Sequence, residues 1–226
     1  SNVYSKNKNA RVPQVSADFV RKNFTFYDRW PWANNVIHQL GKHIVDIRLL
    51  STCLQDYASV ADMTLITEKI QLPSTKYVSI HNSAGGVGSL KLLPQETIDA
   101  ISDYLWVKGY SVIQTGSPSE PLIKNAIDLR GRTSFWQTGY ILQNAAMHIG
   151  PEGSLYHMAK AVGGRALTWI SVTSPEAFLY NDPNFHCVTP KHTREYKCDP
   201  CWWKGESYFH NKCMLGLETC MNLPTA

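Results

Sequence analysis

The alternation of hydrophobic and polar positions changes its rhythm near Pro73. Residues 1–72 mix basic, aromatic and polar side chains with little clean periodicity, apart from apolar stretches at Val36-Ile37 and from Ile44 to Leu50. Two or three helices are expected there. Beyond Pro73, short β-branched or aromatic runs alternate with stretches of helical period. Tyr77-Val78-Ser79-Ile80 reads as a strand, followed by the glycine-rich Ser83-Ala84-Gly85-Gly86-Val87-Gly88-Ser89 and a helix entered at Pro94. Ile98, Ile101 and Leu105 share one face of that helix, and Gly109 stands where a left-handed C-cap belongs. A strand over Tyr110 to Gln114 follows, then a helix around Glu120 to Ala126, a short strand Ile127-Asp128-Leu129 and a helix near Ser134 to Gln143. Ala145-Ala146-Met147-His148-Ile149 reads as a buried strand, Leu155, Met158 and Val162 as one face of another helix, and Ala166 to Val172 as a further strand. Strands alternating with helices need crossover connections. The expected fold is therefore α/β, with a Rossmann-like parallel sheet and ligands at the carboxyl ends of its strands.

Three of those strand ends carry chemistry. After the first strand, Lys91 offers an ammonium that could reach a phosphate as a mobile point charge. After the third, Asp128-Leu129-Arg130-Gly131-Arg132-Thr133-Ser134 brings two guanidinium groups and two hydroxyls just before a helix. The fourth ends in Glu152-Gly153-Ser154, with His157 one turn on. The first N–H groups of a helix have no intrahelical partner and carry the positive end of its dipole, so this turn could hold a diphosphate while Glu152 accepts from ribose or sugar hydroxyls. The plainer reading is a simple helix start with Glu152 as a favourable first-turn charge, and a lone lysine is commonly a solvated surface group.

Composition narrows the class. At 226 residues and 43% hydrophobic content, the chain can bury one sizeable core, or one full domain and part of a second. A formal charge of +4 suits phosphorylated ligands without requiring nucleic acid. No apolar run approaches membrane-spanning length and no charged-then-apolar leader is evident, so a cytoplasmic protein is expected. In that setting the Asn23-Phe24-Thr25 sequon has no use, and Trp30-Pro31-Trp32 reads as edge packing more readily than as a ligand site. The chain starts at Ser1-Asn2 and not Met, which suggests trimming.

The ordered set of Ser89-Leu90-Lys91 with Pro94, Asp128 to Ser134, and Glu152-Gly153-Ser154 with His157-Met158-Ala159 and Gly163 resembles glycosyltransferase family 9, the ADP-heptose:lipopolysaccharide heptosyltransferases. The resemblance runs from about Tyr77 to Pro224. It implies the two-domain GT-B fold, with this chain supplying the C-terminal, donor-binding half: a short N-terminal region at 1–72, reduced or truncated; a nucleotide-sugar-binding domain at 73–190; and a cysteine-rich tail at 191–226. By matching positions it implies donor contacts from Lys91 and the Glu152-Gly153-Ser154 turn, with His157 lining or bracing that turn; shared placement at strand ends adds Arg130, Arg132 and Thr133 as donor-binding candidates. Glu152 departs from the Asp usual in the family, which leaves the sugar open between heptose and hexose. The implied reaction displaces a nucleoside diphosphate from the anomeric carbon by an acceptor hydroxyl, with no catalytic metal. The base, an Asp of the N-terminal half in that family, has only positional candidates here: Asp18, Asp28, Asp46 and His43, each more readily read as exposed surface charge.

The tail holds four of the six cysteines. Cys198-Asp199-Pro200-Cys201 has the spacing that lets two thiolates meet one metal, and Cys213 and Cys220 could complete a tetrahedral structural site, with His210 as a substitute ligand. Reduced, partly buried thiols are the competing reading. The tail also resembles that of family 9, and a related group of protein-heptosylating enzymes binds iron through such cysteines, so zinc and iron both stay open. Cys53 and Cys187 read as small apolar residues. Trp202, Trp203, Lys204, Tyr208, Phe209 and Lys212 interleave aromatic and basic groups, so a non-catalytic nucleotide- or nucleic-acid-binding module is the alternative to a glycosyltransferase. The acceptor, whether saccharide, protein or modified nucleobase, and the need for a partner chain are open at this level.

Overall fold

A computed structural model describes residues 64, 66–85, 88–173, 175–189, 213 and 221. The expected helices before residue 64, the candidate bases Asp18, Asp28, His43 and Asp46, and the tail ligands Cys198, Cys201 and Cys220 lie outside the described residues.

Six parallel strands form one sheet. In chain order they are β1 (Tyr77–Ile80), β2 (Ser111–Gln114), β3 (Ala126–Asp128), β4 (Met147–Pro151), β5 (Ala166–Trp169) and β6 (Phe185–Val188). Their spatial order is β3-β2-β1-β4-β5-β6, the doubly wound arrangement that the sequence rhythm implies. Four helices accompany them: α1 (Gln95–Val107), α2 (Phe135–Asn144), α3 (Ser154–Ala161) and α4 (Pro175–Phe178), with a 3-10 turn at Gly88–Lys91. Among these helices none is long and apolar enough to cross a membrane.

Both faces of the sheet are covered, which explains why its strands read as nearly continuous apolar runs. On one face Val78, Ile80, Val112, Ile149 and Trp169 pack with Ile98, Leu93 and Ile123, and Ile101 and Leu105 of α1 close over them. Met221 of the tail is buried in the same cluster. On the other face Tyr77 and Ile113 meet Ile141 and Ala145, while Leu142 and α3 pack on Ala166 and Phe185. Ile70 and Leu72, just before the strand region, pack against that second face as well.

The ends of α1 and α2 follow from the sequence. Gly109 takes a φ of 83°, where a side chain would be strained, and so ends α1 as expected. Pro94 is the N-cap itself, one position earlier than the first helical turn. Ser134 caps α2 in a reciprocal box: its hydroxyl accepts from the Gln137 N–H at 3.1 Å, and the Gln137 side chain accepts from the Ser134 N–H at 3.0 Å.

The helix expected over Glu120 to Ala126 does not form. Residues 117–125 instead form an irregular segment with turns at 118–119 and 124–125, because side chains take the backbone groups a helix would use. Gln114 accepts from the Ile123 N–H at 2.8 Å and donates to the Pro121 carbonyl at 2.9 Å. Asp99 accepts from the Lys124 N–H at 2.8 Å, and the Ser102 hydroxyl donates to the Lys124 carbonyl at 2.6 Å. Asn125, at φ 59°, then turns the chain into β3. The fourth strand is also displaced from its expected start: Ala145 caps α2, and β4 runs from Met147 through Pro151.

Candidate functional site

In a doubly wound sheet the crevice for ligands opens where the strand order reverses, outside the carboxyl ends of the two strands concerned. Here those strands are β1 and β4, which pair directly with Ile80 opposite Ile149. The chain after β1 carries Lys91 and the chain after β4 carries Glu152. The two meet. Lys91 Nζ donates to Glu152 Oε2 at 2.6 Å and to the Glu152 carbonyl at 3.3 Å.

Each partner is held by the neighbouring strand. Trp169 at the end of β5 donates its indole N–H to the Lys91 carbonyl at 2.6 Å, and the Ser171 hydroxyl donates to the Leu90 carbonyl at 3.3 Å. These bonds pin the 3-10 turn over the sheet. The Glu152 N–H donates to the Trp169 carbonyl at 3.2 Å. Around the Glu152 carboxylate, the Thr173 hydroxyl approaches Oε2 at 3.4 Å and His157 Nε2 lies 3.5 Å from Oε1. His157 Nδ1 in turn lies 2.7 Å from the Tyr180 hydroxyl.

Glu152 is thus a buried, fully served carboxylate, 5% exposed. Burial pushes its pKa up, but His157 and the Lys91 ammonium overcome that cost and bring it down to about 2. The carboxylate expected to face sugar hydroxyls is engaged by protein donors, and Lys91, expected as a mobile point charge, is tethered with its side chain 12% exposed. At the α3 N-terminus beside them, the N-cap Gly153 makes no side-chain cap hydrogen bond.

The Arg130 to Ser134 segment is elsewhere. It follows β3 at the sheet edge, with β2 and β1 between it and β4, which at about 4.8 Å per strand separates the strand axes by roughly 14 Å. Arg130 bonds the Asp128 carboxylate at 2.8 Å and 3.0 Å and also donates to the Glu120 carbonyl. Thr133 shares a hydrogen bond with Thr138 at 2.9 Å, Ser134 is consumed as the α2 cap, and Arg132 is exposed. Of the expected donor contacts, the fold gathers Lys91, Glu152, Gly153, Ser154 and His157 at one crevice. Arg130, Arg132 and Thr133 stand at another strand end.

Several polar residues of this edge escaped the sequence reading. His81, the first residue after β1, lies with Nε2 3.4 Å from Glu120 Oε1. Burial raises the Glu120 pKa, but His81, the Ser117 N–H and Ser83 together hold it below the ordinary carboxylate value. His148, inside β4, is completely buried with Nδ1 3.3 Å from the Ser79 hydroxyl. Asking which residue directly follows each strand would have found His81. Nothing local marks Thr173 or Tyr180, which reach the site only through packing.

Comparison with solved structures shows similarity to the glycosyl transferase of family 9 from Veillonella parvula DSM 2008, at a TM-score of 0.51 and 15% identity over 72% of this chain and 53% of that one. The described sheet and helices share the fold of part of that glycosyltransferase. Weaker similarity extends to the iron-containing dodecameric glycosyltransferase TibC of enterotoxigenic E. coli H10407 (TM-score 0.47, 18% identity, 60% of this chain and 36% of that one). It extends also to E. coli ADP-heptose lps heptosyltransferase II (TM-score 0.43, 17% identity, 52% and 39%). The aligned part thus spans about a third to a half of each of these proteins. No protein-family model and no curated protein matches the chain. Among the described residues no group of three or more His, Cys, Asp or Glu is arranged to hold a metal ion.

Proposed function

We propose that the chain binds the diphosphate of a nucleotide-sugar in the crevice between β1 and β4 and serves in transfer of the sugar, a heptose or hexose, to an acceptor hydroxyl. The observation that carries this reading is the Lys91–Glu152 pair, fixed at the point of strand-order reversal beside an uncapped helix N-terminus. The family 9 fold adds support. In the reaction the bond between the anomeric carbon and the diphosphate oxygen breaks as the acceptor oxygen bonds that carbon. Negative charge accumulates on the diphosphate, where the N–H groups of Ser154 and its neighbours and the Lys91 ammonium stabilise it. Glu152 holds the ammonium in place and His157 braces Glu152. Arg132 is the exposed cation of the β3 end, suited to a distal part of an extended ligand; Arg130 and Thr133 support that loop. A base must take the acceptor proton, and Asp18, Asp28, Asp46 and His43 are its candidates.

Calorimetric titration of ADP, UDP and GDP and their sugar conjugates tests the reading. The wild-type chain is expected to bind one of them, and Lys91→Ala to lose a charge-assisted contact of about 1.5–3 kcal/mol, weakening binding roughly ten- to hundredfold. Equal affinity in wild type and variant, or no binding by wild type, would refute it.

We further infer a structural zinc or iron ion on Cys198, Cys201, Cys213 and Cys220, a closed donor set that leaves no position for substrate. The support is the donor chemistry in the sequence together with Met221, buried in the main core immediately after Cys220. Elemental analysis should find close to one metal per chain, lost in Cys198→Ser along with thermal stability. A metal-free preparation that melts like the wild type contradicts the assignment.

A further inference from the structure

We propose that Tyr180 is a positioning residue that selects the His157 tautomer protonated at Nε2, and through it aligns Glu152 with Lys91. The consequence for ligand binding rests on the nucleotide-sugar reading; the tautomer assignment does not.

The ring of Tyr180 is clamped from several sides. It stacks on Tyr156 with centroids 5.4 Å apart and planes at 22°, and meets Phe185 edge-on at 5.5 Å. Its own N–H donates to the Tyr156 hydroxyl at 3.1 Å, and Lys160 Nζ lies 5.7 Å from the ring centre. These contacts fix the direction of the phenol oxygen, which lies 2.7 Å from His157 Nδ1. Burial, and then the charge of Glu152, push the phenol pKa up to about 12, so the oxygen keeps its proton and can donate.

A neutral imidazole carries one proton on its two ring nitrogens. With the phenol donating to Nδ1, the proton is on Nε2, which faces Glu152 Oε1 at 3.5 Å. The opposite tautomer would set a lone pair against the carboxylate. One chain of polar contacts therefore runs from Tyr180, hydrogen-bonded to His157, through the 3.5 Å approach of His157 to Glu152, whose other oxygen accepts from Lys91 at 2.6 Å. In this chain of contacts Tyr180 acts on Glu152 through His157.

Nitrogen-15 NMR of the full chain with labelled histidine, at a pH where imidazole is neutral, reads the tautomer directly, and loss of a signal in His157→Gln assigns it. Wild type is expected to show a protonated Nε2 and an unprotonated Nδ1. Tyr180→Phe retains the stacked ring and is expected to give mixed tautomers, with affinity for the best-binding nucleoside diphosphate reduced about two- to tenfold, the range of one neutral hydrogen bond. Protonation of Nδ1 in wild type, or an unchanged tautomer in Tyr180→Phe, overturns the proposal. So does a shifted tautomer with unaltered affinity, which would break the link to Glu152 and Lys91. A protonated Nε2 in a wild-type chain that binds no nucleotide upholds the tautomer assignment and refutes the nucleotide reading instead.

Discussion

Glu152→Ala is expected to destabilise the domain by roughly 3–5 kcal/mol, the cost of breaking a buried ion pair from one side. The variant leaves the Lys91 ammonium, with a side chain 12% exposed, facing a hole where its carboxylate stood. Thr173 and His157 lose an acceptor in the same step. Removing both charges is far milder, because no ion is then left unpaired: Lys91→Met combined with Glu152→Ala should recover most of the loss. Urea denaturation of the single and double variants measures both quantities. A single-variant loss below about 1 kcal/mol would mean the pair is solvated and does not organise the crevice. The pair also has a pH signature. Because the Glu152 pKa is lowered from 4.5 to about 2, its contribution is complete above pH 4.5 and drains away as the pH falls toward 2.

A second effect appears at milder acidity. His148 is completely buried in β4, and among the described residues its Nε2 has no hydrogen-bond partner. Burial foremost, then the nearby His81, lower its pKa from 6.5 to about 3. The unfolded chain therefore takes up a proton below pH 6.5 that the folded chain refuses until about pH 3. Stability is complete above pH 6.5 and declines as the pH falls, with a slope approaching 1.4 kcal/mol per pH unit from this one group, or roughly 2 kcal/mol between pH 7 and pH 5. His148→Gln keeps a polar group beside Ser79 and removes the titration. Its denaturation midpoints should be nearly flat over that range, where Glu152 does not yet titrate. Equal slopes in the two proteins would assign the acid sensitivity to other groups.

Much of the architecture is legible locally. Tyr77 to Ile80 and Ser111 to Gln114 alternate with the stripe of Ile98, Ile101 and Leu105, and each signal arises within a few residues from the pleat of a strand or the turn of a helix. The Ser134-to-Gln137 box and Gly109 mark helix ends for the same reason, since a cap depends on its immediate neighbours. The missing helix at Glu120 to Ala126 shows where such reasoning stops: Gln114, Asp99 and Ser102, between 7 and 25 residues away, claim the backbone of that segment.

The candidate site divides along the same line. Lys91, Glu152, Gly153, Ser154 and His157 stand out in the sequence because a strand, a turn and a helix start place them at strand ends, and each of those features is local. Local patterns carry no strand order. That order is set by which apolar faces pack together, and it brings β1 against β4 while sending β3 to the edge, so Lys91 joins Glu152 while Arg130 stays at the edge, paired with Asp128 two residues before it. Lys91 and Glu152 are 61 residues apart, and Tyr180 reaches His157 across 23. The sequence by itself determined the alternation of strands and helices, the helix ends at Ser134 and Gly109, and the chemical kinds of group at the strand ends. Only the tertiary structure decided which of those groups meet and in what charge state, because burial and pairing depend on neighbours that the core, not the chain order, brings within a few ångströms.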